Sequence, residues 1–208
     1  MKSLKFASLA AALTLGASTF AIAAGHGGLT IPSGTYAADA THSNVTWKVS
    51  HFGLSNYTGQ FNAMNGTLEL NAEDPTASKV SATVDISTIS TPYVVTGDKD
   101  FDVELQSAQW FAAEEFPQAT FESTSLELGE NGTGTMTGDM TFRGQTVPMT
   151  FDVSLNGQME KHPFAPGAAV GFTATGTMDR TAFGFDTFAP NVGAEVELTI
   201  QAEFIEQK

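Results

Sequence analysis

The sequence predicts an all-β protein: an eight-stranded antiparallel barrel with a short helical lid insertion. Apolar and polar residues alternate at period two in roughly eight separate stretches after Thr35, the signature of half-buried strands. Turn-forming pairs such as Asn131-Gly132 fall between them, so neighbouring strands return antiparallel. Only one stretch, from about Asp100 to Glu115, breaks the pattern. With 208 residues, 41% of them apolar and 15% charged, the chain has enough hydrophobic content for one core and is no coiled coil or disordered tail.

The first 23 residues read as a signal peptide, and residues 24–208 as the barrel domain. Lys2 and Lys5 precede an apolar run from Phe6 to Phe20, too short for a comfortable bilayer span, and Ala21-Ile22-Ala23 supplies the small-x-small pattern for cleavage after Ala23. The whole chain carries nine basic and 23 acidic residues, a formal charge of −14. Removing the leader leaves seven basic against 23 acidic residues, a net of −16. That sign argues against binding nucleic-acid phosphates or anionic lipid headgroups. Cysteine is absent, so disulfides, thiolate metal sites, a lipoprotein anchor and a cysteine nucleophile are all excluded. The expected destination is the periplasm, with secretion as the lesser alternative and no integral membrane segment in the mature protein.

The strands follow in order. Val45, Trp47, Val49 and His51 alternate with Thr46, Lys48 and Ser50, and a further strand runs from about Tyr57 to Leu70. Val80, Ala82, Val84 and Ile86 define the next, then Ala119, Phe121 and Ser123, then Met136, Gly138, Met140 and Phe142. Val147 to Leu155, Val170 to Met178 and Val196 to Phe204 complete the set. Arg143-Gly144 and Asn156-Gly157 are expected hairpin turns, and Pro148 sits near a strand start, where its missing N–H is tolerated. In the exceptional stretch, Val103, Leu105, Trp110 and Phe111 suit a short helix or irregular lid ended before Pro117.

Eight such strands can form a sandwich or a sheet closed on itself, and closure is the favoured reading. Ala63, Ala82, Gly138, Ala174, Gly176 and Ala202 fall on the inner face among large aromatics. Small residues there either leave a lined cavity or mark bends whose space the aromatics fill.

The motifs resemble those of the YceI-like family of bacterial polyisoprenoid-binding, lipocalin-like proteins. The resemblance rests on His42-Ser43, Val45, Trp47 (where a Phe is more usual), His51-Phe52-Gly53, Gly59, Phe61 and Gly66. It continues in order through Phe116-Pro117, Thr120-Phe121, Met140-Thr141, Arg143-Gly144, Asp179-Arg180 and Phe183-Gly184. It implies an eight-stranded barrel around an apolar tunnel, often dimeric, that takes up a long isoprenoid or similar lipid tail with no reaction attached. The segment Thr91 to Asp102 is longer than usual in the family and acidic, which sets it apart from a pyrophosphate-binding mouth.

The expected ligand-binding residues are the inner-face side chains Trp47, Val49, Phe61, Val84, Ile86 and Phe121, with His51 at the strand end placed to touch a headgroup. Met140, Phe142, Met149, Phe151 and Phe172 complete the set, methionine adapting to variable alkyl shapes. Ordinary core packing is the competing reading for each. Arg143 and Arg180 are expected to clasp carboxylates and lock turns. Asp98, Asp100, Asp102 and Glu104 read as a solvated acidic loop, without the glycine and final glutamate of an EF-hand. No HxH, HExxH or GxSxG spacing exists, so no metal, cofactor or catalytic residue is expected. The leading function is non-catalytic carriage or sequestration of an isoprenoid-like lipid, polyprenyl or quinone-type. The alternatives are a filled-core periplasmic stress or interaction protein and a lipid hydrolase.

Overall fold

The computed structural model describes residues 28–93, 97 and 100–208. The expected signal peptide and its cleavage point, with Asp98 and Lys99 of the acidic loop, lie outside the described residues. Eleven strand segments form one sheet: β1 (Gly34–Ala38), β2 (Asn44–His51), β3 (Ser55–Phe61), β4 (Met64–Leu70), β5 (Lys79–Asp85), β6 (Ile89–Ser90), β7 (Gln118–Leu128), β8 (Thr133–Phe142), β9 (Gln145–Met159), β10 (Ala169–Asp179) and β11 (Val192–Glu206). They make eight staves, because β1 with β2, β3 with β4 and β5 with β6 are each one interrupted stave. β11 pairs with β10 along one edge, and with β2 and then β1 along the other. The β1–β11 pairing closes the sheet, so the fold is an eight-stranded antiparallel barrel.

The interruptions matter for which side chains reach the bore. The stave expected as one strand from Tyr57 to Leu70 breaks at Asn62-Ala63, where the Ala63 carbonyl accepts the Asp85 N–H. Phe61 and Met64, three apart, are therefore both buried, and Met64, Leu68 and Leu70 face inward in place of Ala63. A register shift at Ser123/Ser125 in β7 likewise moves the inward set from Ala119 and Phe121 to Leu126 and Leu128.

Two turn expectations have opposite outcomes. Asn131 and Gly132 both adopt positive φ, 55° and 77°, as a two-residue hairpin requires, and Arg143-Gly144 does the same between β8 and β9. Asn156-Gly157 instead lies inside β9, where Gly157 faces Gly171 while Leu155 faces Phe172. Asn156 is the extra residue of a bulge, its side chain accepting from Thr173 Oγ1 at 2.9 Å. Pairing with β10 continues to Met159 and overrides the local turn preference.

The helical insertion is shorter than its sequence suggests. α1 (Phe101–Gln106) is capped by the Asp100 carboxylate, which accepts from the Asp102 and Val103 amides. The chain then folds into turns, with the Phe111 N–H donating to Leu105 and the Ala112 N–H to Ser107. Leu105 and Phe111 are buried, but Val103 points outward and is 61% exposed. Thr91 donates its hydroxyl to Asp102 at 2.6 Å, tying the insertion to the end of β6, whose outer edge carries no strand partner among the described residues.

Candidate functional site: a two-chambered apolar bore

The bore holds two cavities, of about 520 and about 500 Å³. The first lies towards the β4, β5, β7 and β8 end and opens among the loops at residues 72–75 and 129–133. Its wall is mainly aliphatic, with Leu68, Leu70, Val80, Leu126, Met136 and Ile200 prominent. The second lies under the insertion and is mainly aromatic. Val45, Val84, Ala119, Met140 and Leu198 line both, so the chambers meet along a shared wall. Each volume falls in the range of small-molecule sites.

The expected site residues distribute between them. Trp47, Val49, His51, Phe61, Ile86 and Phe142 line chamber two; Phe121, Phe151 and Phe172 line chamber one; Val84 and Met140 line both. Met149 lines neither and is packed in the core. Of the small inward residues, Ala82, Ala174 and Ala202 line chamber one. Gly138 and Gly176 instead seat aromatic rings: a Cβ on Gly138 would meet Phe121 at 2.4 Å, and one on Gly176 would meet Phe151 at 2.7 Å. Both readings of the small residues thus hold, at different positions.

Trp47 depends on the same device. It faces Gly59 across β2–β3, and a Cβ there would stand 2.3 Å from the indole ring. Gly59 lets the ring lie against the β3 backbone, 8% exposed overall, with Tyr57 at 6.1 Å and Phe111 at 6.4 Å between ring centroids. Residues outside the expected set complete chamber two: Phe101, Leu105, Trp110 and Phe111 from the insertion, Tyr57 from β3, and Phe185 and Phe188 from the loop after β10. Tyr57 shares the period-two parity of Gly59 and Phe61, so its signal was present. The loop residues obey no periodicity.

Neither arginine clasps a carboxylate, contrary to expectation. Arg180 is 2% exposed and lines chamber two, yet donates to four backbone carbonyls: Gly193 at 2.7 Å, Phe185 at 2.8 Å, and Thr187 and Val192 at 3.0 and 2.8 Å. Burial pushes its pKa down, while Asp186 and Asp179 nearby oppose that. Arg143 donates to the Gly184 and Ala108 carbonyls. Both guanidinium groups stack against Phe185. The reason is local: tight loops present unpaired carbonyls, and a planar multi-donor fork satisfies several at once.

His51 is exposed beside Phe52 at the mouth of chamber two. Phe52 and Phe188, more than half exposed, also line that chamber and hold φ of 55° and 58°, a region bulky residues rarely adopt. The Phe52 N–H donates to Asn191, joining the two loops into one apolar rim with Leu54, which is 87% exposed. Elsewhere, the Ser43 hydroxyl is buried and exchanges hydrogen bonds with the Glu203 backbone, so it holds β11 rather than facing a base. His42 Nδ1 contacts Asp39 at 2.8 Å on the exterior. Hydrogen bonds from Thr41 and His42 hold the Asp39 carboxyl down at about 2, and Asp39 raises the His42 pKa in return. Asp39, His42 and Glu203 bring ligand-type atoms within 4.8 Å of one another, but Thr41 and His42 already occupy both Asp39 oxygens.

The profile described as the YceI-like domain matches residues 36–204. Protein YceI of Salmonella arizonae is 32% identical over 170 residues, covering 82% of this chain and 85% of that protein. Among solved structures, Burkholderia cenocepacia BcnA aligns with a TM-score of 0.67 at 20% identity, over 80% of this chain and 98% of that one. A polyisoprenoid binding domain from Saccharophagus degradans aligns with a TM-score of 0.58 at 13% identity, over 83% and 98%. At these identities the two structures speak to the fold, which they share with the barrel described above. With the profile spanning the barrel from β1 into β11 and a relative at this identity over most of its length, the chain belongs to the YceI-like family.

Proposed function

We propose that the protein binds an isoprenoid-like lipid, polyprenyl or quinone-type, in its bore and carries or sequesters it in the periplasm without covalent chemistry. The observation that carries this reading is the pair of joined, almost wholly apolar chambers running along the barrel. Burying each methylene stabilises a complex by about 0.8 kcal/mol, so some ten of them offer ~8 kcal/mol before ordering costs are subtracted. The likeness to a polyisoprenoid binding domain supports the ligand class. Chambers of this size weigh against a filled-core interaction protein. The engaged Ser43 hydroxyl weighs against a hydrolase using that serine.

Organic extraction of protein purified from its native host, followed by mass spectrometry, is expected to release a prenyl-bearing lipid. Ala174→Trp, which places an indole in chamber one, should abolish that recovery while the protein still melts cooperatively. A barrel that yields no lipid, and takes up none when offered prenyl or acyl chains, would end this reading.

A further inference from the structure

The two chambers differ in chemistry as well as position. Chamber one is mostly aliphatic, whereas chamber two is ringed by aromatic side chains, Trp47, Tyr57, Phe61, Trp110, Phe111 and Phe185 among them. Trp47 and Tyr57 sit diagonally on the paired strands β2 and β3, because Tyr57 faces Val49 and Trp47 faces Gly59. Their ring planes meet at 44°. The indole Nε1–H and the phenol O–H are both buried, and neither has a hydrogen-bond partner among the described residues. A donor withdrawn from water without an acceptor is costly, so two such donors beside one cavity point to an acceptor supplied from within it.

The charges narrow the choice of acceptor. Arg180 is the one cationic side chain, apart from the titratable His51, among the described residues lining chamber two. Four of its N–H donors are spent on backbone carbonyls, and Asp179 and Asp186 lie close enough to offset its charge. A phosphate or diphosphate placed there would lose its hydration without gaining a free guanidinium fork. An uncharged planar group loses far less and can stack on the aromatic walls.

Resting on the isoprenoid-lipid reading, we propose that chamber two is the head-group chamber and selects an uncharged planar head whose carbonyl-type oxygens accept from Trp47 Nε1–H and Tyr57 O–H. The alkyl tail then passes Val84 and Met140 into chamber one, through the wall both chambers share.

Three probes with one tail test this: decyl-1,4-benzoquinone, decylbenzene and decyl diphosphate, each read by displacement of the uncharged dye N-phenyl-1-naphthylamine from the purified protein. The quinone is expected to bind more tightly than decylbenzene, and decyl diphosphate most weakly. Trp47→Phe and Tyr57→Phe should each reduce the quinone-to-decylbenzene affinity ratio by about two- to tenfold, the worth of one hydrogen bond to a neutral acceptor. The ratio separates a lost donor from lost packing, and thermal melts confirm that each variant is folded. Equal binding of quinone and decylbenzene, a ratio unmoved by either variant, or tightest binding of the diphosphate would each overturn the assignment while leaving lipid binding intact. Failure of all three probes to displace the dye would instead bring down the carriage reading, and this assignment with it.

Discussion

Arg180 holds the loop after β10 by hydrogen bonds to four backbone carbonyls, a task no single ammonium can perform. Arg180→Lys keeps the charge but leaves at least two buried acceptors unpaired, so stability to urea should fall by about 2–4 kcal/mol. An unchanged midpoint would mean that the carbonyls find other donors. At the opposite surface, Asp39 and His42 make stability depend on pH in two directions. The Asp39 carboxyl drops from its ordinary 3.8 to about 2 on folding, so its contribution is present above pH 3.8 and is lost as pH falls through about 2. The His42 pKa rises above 6.5 on folding, so its contribution is present below pH 6.5 and is lost as pH rises through the folded value. Asp39→Asn should therefore lower urea midpoints most between about pH 4 and 6 and flatten both limbs of the pH profile. Both side chains were visible as a turn in the sequence. Their mutual contact was not, because it depends on where the chain bends between β1 and β2.

At the scale of elements, α1 and the turns after it form the wall that turns an open barrel end into chamber two. Their anchor is the Asp102 carboxylate, which accepts both the hydroxyl and the amide of Thr91. Asp102→Ala should speed amide hydrogen exchange across residues 101–116 and accelerate release of a bound apolar dye, with the exchange rates of β9 to β11 unchanged. If exchange in the insertion stays slow, packing of Leu105 and Phe111 alone holds it. The strands themselves were readable, since burying one face imposes a period of two, and the inner parity assigned to β2, β5, β8 and β11 matches the lining of the bore. Parity failed at Ala63 and beyond Ser123, where an interruption or a register shift adds a residue. Alternation is a local property, and nothing in a strand's own residues marks where its neighbour forces a slip.

For the molecule as a whole, the apolar rim of Phe52, Leu54 and Phe188 surrounds a greasy chamber on a chain of strongly negative charge. That combination suits loading from uncharged rather than anionic bilayers. The double variant Leu54→Ser with Phe188→Ser should slow uptake of a labelled prenyl lipid from phosphatidylcholine vesicles by about tenfold, because about 2 kcal/mol of apolar contact is lost per side chain and only part of it acts on loading. Melting temperature should not change, since both side chains are exposed. Equal uptake rates for variant and parent would place loading elsewhere.

By itself the sequence determined the all-β class, the alternation that lines the bore, the closed form preferred for eight antiparallel strands and the resemblance to one family. These follow from rules that act within a few residues of each other. Only the tertiary structure decided that the bore divides into an aliphatic and an aromatic chamber, that both arginines bind carbonyls instead of carboxylates, and that Met149 packs away from the cavities. Those outcomes turn on side chains brought together from distant strands and aperiodic loops, whose meeting is set by how the barrel closes.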